Sequence, residues 1–600
     1  MANSGCQSQM PRQAGSSLEV ILPTNTIPSY EQRVIGKASS IPGVEEFRGI
    51  PYGTVPARWQ HGLLRDRLPL DIFDATKNGP RCPQPQEPNN SDFYQSYLEF
   101  PSDVTESEFD CLNLFITRPS ASALVEAGID PETARLPVYA YIHGGAYSFG
   151  AGTDPMWDPA RLVQKSVLFG TPMVVATINY RLNMFGFAAS SEIIDAQPDG
   201  QMKGGNFGLG DQRIALRWIR NNIAAFSGDA GRVTVGGQSA GGSSSHAHVL
   251  EAILSEREPL VQRGIIQSGA VGVLGPISME DTNKRWDALC KQLGAPDSDA
   301  ASRMEYMATV SPEQILQANR ELDWMVSPIV VDNLTISERP NGRWNIHLDG
   351  NEEPVEKDQS AHNSAPIAIL IGDTDLEGTM HYSQVTEIKS FDEFKVLLEA
   401  NVSSKDFLDK FYQVYSLQDD MALADLHKQI FQFLTDIQFG YCVQTAREEL
   451  MGWEPSAQKS ASDTTSARPT AVQSYRMSVG NPFPGINHEK AHHCVDLLYI
   501  YDCFADAMRA VDETLPAEAT ANAALVDRVQ ADWVRFITAP SPSDQHEMAT
   551  VYGADRTASV VDMALDQTWV ERKSRMDFLH NYQLGAQQTI RALIGTQHVF

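Results

Sequence analysis

Apolar positions in the first half of this chain fall into two alternating patterns. Continuous apolar runs at Leu136–Ile142 (LPVYAYI), 173–178 (MVVATI) and 367–371 (IAILI) read as strands buried on both faces, and 232–235 (RVTV) and 264–267 are shorter candidates. Between them, residues 211–226 (DQRIALRWIRNNIAAF) place Ala215, Trp218, Ile219, Ile223 and Phe226 on one helical face, with Asp211 as the expected N-cap. A second helix is expected over roughly 240–254. Strands alternating with helices predict an α/β fold with a large, mostly parallel sheet covered on both sides. Helical periodicity then dominates 389–450, 516–538 and 574–594, while the Ser/Thr/Ala/Pro-rich stretch 455–470 reads as a flexible surface loop. With no internal repeat in sight, residues 1–600 are expected to form one elaborated catalytic domain.

Composition narrows the partners. With 42% apolar residues the chain can bury a large core, and its formal charge of −29, from 76 acidic against 47 basic residues, repels phosphate backbones. Nucleic acid is therefore excluded as a partner. No apolar run approaches the length of a membrane span. The N-terminal stretch lacks the apolar segment of a secretory signal, which points to a cytoplasmic location. Seven cysteines do not make the framework of a small secreted domain. The sequons at Asn89, Asn333 and Asn401 are read as chance matches.

The chemistry begins at Gly237-Gln238-Ser239-Ala240-Gly241, a G-x-S-x-G motif lying between a predicted strand and a predicted helix. A tight turn of this kind demands small neighbours and presents the Ser239 hydroxyl at a helix N-terminus, where backbone N–H groups stabilise an oxyanion. Upstream, His143-Gly144-Gly145-Ala146 ends another strand, and its glycines leave N–H groups open to a substrate carbonyl. Gly144, Gly145 and Ala240 are thus the expected oxyanion-hole donors. The glycine-rich stretch 205–210 follows no strand and lacks the spacing of a dinucleotide fingerprint.

These motifs resemble the type B carboxylesterase/lipase family, which includes cholinesterases and many fungal lipases and esterases. The resemblance runs from about residue 40 to 540. It rests on Phe47-Arg48-Gly49-Ile50-Pro51-Tyr52 with Arg58-Trp59, Asp110-Cys111-Leu112-Asn113-Leu114, and Tyr180-Arg181-Leu182 with Phe185-Gly186-Phe187. Asn206-Phe207-Gly208-Leu209 with Asp211-Gln212, and Ile266-Gln267-Ser268-Gly269, continue it. It implies the α/β-hydrolase fold with insertions, no cofactor and no catalytic metal. It also implies a disulfide between Cys82 and Cys111, leaving Cys290 without a partner. The loop between those cysteines carries Phe93, Tyr94, Tyr97 and Phe100 but no tryptophan, which disfavours a choline ester. Three departures stand out: Gln238 where many members have glutamate, Ala146 for a third glycine, and Ser227-Gly228-Asp229 for G-G-D.

Such a nucleophile needs an acid and then a histidine later in the chain. His488, His492 and His493 are the candidate bases, and His493-Cys494-Val495-Asp496-Leu497 fits the family's spacing. Among Asp373, Asp375 and Glu377, the family places its acid directly before a glycine, which selects Glu377-Gly378. The expectation is a serine carboxylic-ester hydrolase working on a small-molecule ester through an acyl-enzyme, with Ser239, Glu377 and His493 as triad. An acyltransferase or lactonase that tailors a natural product with the same triad is the alternative. A non-catalytic adhesion-type member is disfavoured because all three residues stand.

Overall fold

The computed structural model describes residues 18–23, 31–85, 98–255, 257–339, 343–349, 366–452, 470–541, 543 and 545–595. Its central sheet has eleven strands. In chain order they are β1 (Lys37–Ala38), β2 (Val44–Pro51), β3 (Asn113–Pro119), β4 (Leu136–Ile142), β5 (Val174–Ile178), β6 (Gly228–Gln238), β7 (Arg263–Gln267), β8 (Ile367–Thr374), β9 (Thr470–Met477), β10 (Met548–Tyr552) and β11 (Ala558–Asp562). Across the sheet they run β11-β10-β9-β8-β7-β6-β4-β5-β3-β2-β1. Every pairing from β10 through β5 is parallel, and the pairs at either end are antiparallel. The expected α/β architecture is therefore present.

Strand β4 shows why its sequence is apolar throughout. Val138, Ala140 and Ile142 belong to one core, with Trp218, Ile219 and Phe226. Tyr139 and Tyr141 belong to the core on the opposite face, with Trp157, Tyr501 and Trp533. Successive side chains of a strand point to opposite faces, so a strand covered on both sides must be apolar at every position. The C-terminal helical patterns build a third core, in which Phe394, Phe407, Phe411, Phe433 and Phe578 pack together.

One expectation is corrected. The helix expected from 211 is Phe207–Asn222, followed by a 3-10 turn at Ile223–Phe226; its N-cap is Asn206 in the left-handed region at φ 55°. Asp211 lies inside that helix, fully buried, because its carboxylate has another task. It accepts from Arg181 Nε at 2.8 Å and Nη2 at 2.7 Å. The surface loop expected at 455–470 lies outside the described residues except for Thr470, which opens β9. Among the described residues no helix is long and apolar enough to cross a membrane.

Candidate active site

The turn between β6 and the helix Ala240–Leu254 holds Ser239 at φ 60°, ψ −121°, a strained conformation for a residue with a side chain. It persists because the surroundings leave no alternative. A Cβ on Gly237 would lie 2.3 Å from the carbonyl oxygen of Ile142, and one on Gly241 would lie 2.0 Å from the same atom. Only glycine on both sides lets β4, β6 and the helix approach this closely. The Ser239 N–H donates to Gln267 O at 2.9 Å, and Ser239 O accepts the first helical bond from Ser243 N at 2.9 Å. The residue thus sits as the N-cap of its helix, with Ala240 as the first helical residue.

The segment His143-Gly144-Gly145-Ala146 leaves β4 alongside this turn. A Cβ on Gly144 would come within 3.2 Å of Ser239 Cβ, so its backbone lies directly against the serine. Gly145, at φ +110°, would bring a Cβ to 2.1 Å from Phe149 O. Ala146 takes φ 54° although it carries a side chain. His143 is stacked between Trp157 and Tyr180, with ring centroids at 5.9 and 4.5 Å. Its Nδ1 lies 2.8 Å from Gly144 O. Burial pushes its imidazole down to about 4, so it remains neutral.

Glu377 and His493 meet from opposite ends of the second half. Strand β8 runs into the turn Glu377–His381, whose backbone is stitched to the histidine loop by Leu376 N donating to Ala491 O at 2.9 Å. Glu377 is fully buried, and its Oε1 accepts from Thr374 N at 2.8 Å. Its Oε2 faces His493 Nδ1 at 2.5 Å. Burial opposes a charged His493 ring, but the Cys494 sulfur and the Glu377 carboxylate outweigh it and hold the imidazole well above its usual 6.5. The other ring nitrogen, Nε2, lies 3.3 Å from Nε2 of Gln238, the residue before Ser239. Among the described residues the Ser239 hydroxyl makes no hydrogen bond of its own.

The structure places the other candidates outside this pair. His492 is buried, pushed down to about 4 by that burial, and its Nδ1 lies 2.6 Å from His493 O. His488 is exposed. Asp375 pairs with Arg476 at 3.2 Å and is partly exposed. Asp373 is buried in a bidentate pair with Arg572, whose Nη1 reaches Oδ1 at 2.7 Å and whose Nη2 reaches Oδ2. Burial lifts the Asp373 carboxyl above its ordinary range, and Arg572 reverses this only in part.

Several neighbours carried no readable signal. The Phe439 ring lies 4.6 Å from the His493 ring, and it is placed by a π-helical turn, Asp436–Gly440, between two α-helices. Thr435 Oγ1 accepts from Gly378 N at 2.9 Å and fixes the residue after the acid. Asp436 is bound by Arg575 Nε at 2.5 Å, on the same helix as Arg572, Gln567–Asn581. Asp496, by contrast, belongs to the signature that selected His493, and it is buried behind the histidine loop. There it accepts from Gln267 Nε2 at 2.8 Å, and burial raises it to about 6.

The expected bridge between Cys82 and Cys111 is not formed. Both are buried free thiols: Cys111 Sγ donates to Glu108 O at 3.7 Å, and Cys82 Sγ accepts from Leu182 N at 3.3 Å. Buried among apolar neighbours, each finds its hydrogen bond with the backbone. Of the aromatics between them, Phe93, Tyr94 and Tyr97 lie outside the described residues, as does the sequon at Asn89. Phe100 is exposed and stacks with Arg81 at 5.0 Å.

Similarity to known proteins identifies the family. Residues 26–579 match the Carboxylesterase family. The para-nitrobenzyl esterase of Bacillus subtilis (strain 168) is 29% identical over 521 residues, covering 85% of this chain and 89% of that protein. A solved structure of a PNB esterase superposes with a TM-score of 0.63 at 25% identity, covering 93% of this chain and 99% of that one. The inactive carboxylesterase-like protein VdtD of Byssochlamys spectabilis is 30% identical over 315 residues, covering 50% of each chain. Fold alone does not fix activity, so the reacting side chains carry the weight. The chain belongs to the carboxylesterase family and is a carboxylic-ester hydrolase built on the α/β-hydrolase fold.

Proposed function

We propose that the chain, acting as one catalytic domain, hydrolyses small carboxylic esters through an acyl-enzyme on Ser239. The observation that carries this is the span of His493: its Nδ1 lies 2.5 Å from Glu377 Oε2, and its Nε2 faces the residue that precedes Ser239. With the proton on Nδ1 held by the carboxylate, Nε2 keeps a lone pair for the serine proton.

Ser239 Oγ attacks the ester carbonyl carbon while His493 Nε2 takes its proton. The carbonyl oxygen becomes an oxyanion facing the N–H groups of Gly144, Gly145 and Ala240, at the positive end of the helix Ala240–Leu254. Collapse breaks the C–O bond to the alcohol, which leaves with the proton from Nε2. Water then gives a proton to Nε2 and attacks the acyl carbon. The second collapse releases the acid and returns the proton to Ser239.

The test pairs labelling with substitution. An organophosphonate is expected to modify Ser239 stoichiometrically, and Ser239→Ala is expected to lose on the order of 10⁶ in kcat on p-nitrophenyl esters while folding normally. A folded Ser239→Ala protein with near-native turnover would refute the assignment.

A further inference from the structure

Gln238 is almost fully buried at the end of β6 and touches both sides of the site. Its Oε1 is turned toward Gly144, where an added Cβ would come within 3.2 Å of it. Its Nε2 lies 3.3 Å from Nε2 of His493. The other ring nitrogen faces Glu377, which can only accept when ionised, so the ring proton belongs on Nδ1. Nε2 of the neutral ring is then an acceptor, and the amide N–H of Gln238 is the group that fits it. The separation lies just beyond the usual 2.7–3.2 Å range of N–H donors, so this contact is weak enough for a hydroxyl to displace.

We propose that Gln238 is a positioning residue for the base: its amide donates to Nε2 of neutral His493, keeping the ring in the tautomer with its proton on Nδ1 until Ser239 takes that place. The inference rests on the reading of His493 as the base. Two neighbours then select one tautomer, an acceptor at Nδ1 and a donor at Nε2. A hydrogen bond to the neutral form disfavours the charged form, so the amide also opposes the pull of Glu377 toward imidazolium.

Among the described residues, the charged and titratable groups around this ring are few. Glu377 faces it from the turn after β8, and Cys494, His492 and Asp496 lie on its own segment. From the remaining elements come the neutral Phe439 and Gln238. Position 238 is therefore where a change of one polar group alters the electrostatics of Nε2 most directly.

The experiment measures kcat/KM against pH for the wild type, Gln238→Met and Gln238→Glu. Methionine keeps the length and removes the donor, and the acid limb is expected to move up by about half a unit to one unit. Glutamate replaces the donor with a carboxylate beside Nε2, and the limb is expected to move up by at least about one unit, further than with methionine. A filler of space would not order the three limbs by the charge and donor character of the side chain. Limbs within about 0.2 unit of wild type in both variants would overturn the proposal, and an unshifted limb in Gln238→Met alone suffices if Gln238→Glu does not fold. His493→Ala in parallel separates the two readings: retained turnover there refutes His493 as base, whereas lost turnover with unshifted Gln238 limbs refutes only the role of Gln238.

Discussion

Replacing Arg572 with methionine keeps most of the side-chain volume and deletes the guanidinium that grips Asp373. Asp373 is only 2% exposed, so the variant leaves a carboxylate in the protein interior without its counter-charge. Protonation caps the penalty. A carboxyl that titrates near 3.9 in the unfolded chain costs about 1.4 kcal/mol per pH unit to hold neutral, hence about 4 kcal/mol at pH 7 and about 1.5 kcal/mol at pH 5. The sign follows from an acid whose folded pKa is raised: the penalty is absent below the unfolded value and grows as pH rises through it. An unfolding entropy of about 2.1 cal/mol/K per residue over 600 residues makes about 1.3 kcal/mol per kelvin. Since burial already lifts Asp373 with Arg572 in place, calorimetry should find Tm lowered by up to about 3 °C at pH 7 and up to about 1 °C at pH 5. Arg572→Met combined with Asp373→Leu removes both charges and should recover most of the loss. A drop in Tm of equal size at the two pH values would refute the reasoning, because it would mean that the carboxylate is not the seat of the cost.

Glu377→Gln removes the charge that orients the base and should lower kcat by about 10⁴, as the equivalent change does in a serine protease. Asp375→Asn should cost less than about tenfold, since its partly exposed pair with Arg476 lies off the imidazole; the reverse ranking in a turnover assay would reassign the acid. The kcat/KM profile should rise with pH, because the base works only when neutral, and the Cys494 and Glu377 neighbours place its midpoint above the ordinary 6.5. A midpoint below about 6 in a steady-state titration would show that burial prevails instead.

The legible parts of this site are those whose chemistry is local. The elbow at Ser239 requires glycine at 237 and 241 because three backbones converge there, so the motif is a direct record of the geometry. Strand β4 matches its predicted bounds, since burial on both faces demands an apolar residue at each position. The pairing of Glu377 with His493 came from family spacing; nothing in either segment alone implies a contact across 116 residues. The start of the helix at Phe207 was missed because Asp211 looks like a cap and is instead the partner of Arg181. Arg572, Thr435 and Phe439 were invisible for the same reason: their roles exist only once distant elements have packed. The bridge expected from Cys82 and Cys111 rested on the family's pattern alone, and the structure holds both as free thiols.

The grip of Arg572 on Asp373 also bears on the order in which the molecule is made. The two residues are separated by 199 positions, and Arg575 follows its own partner Asp436 by 139. At a translation rate of roughly 5–20 residues per second, the strand that ends at the acid turn leaves the ribosome about 10–40 seconds before the cation that neutralises it. Throughout that interval, closing β8 into its final dry layer costs the protonation of Asp373, about 4 kcal/mol at pH 7, however complete the nucleophile elbow is. Assembly of this hydrolase is therefore biased: the acid half carries that cost until the helix Gln567–Asn581 arrives, and the serine half does not.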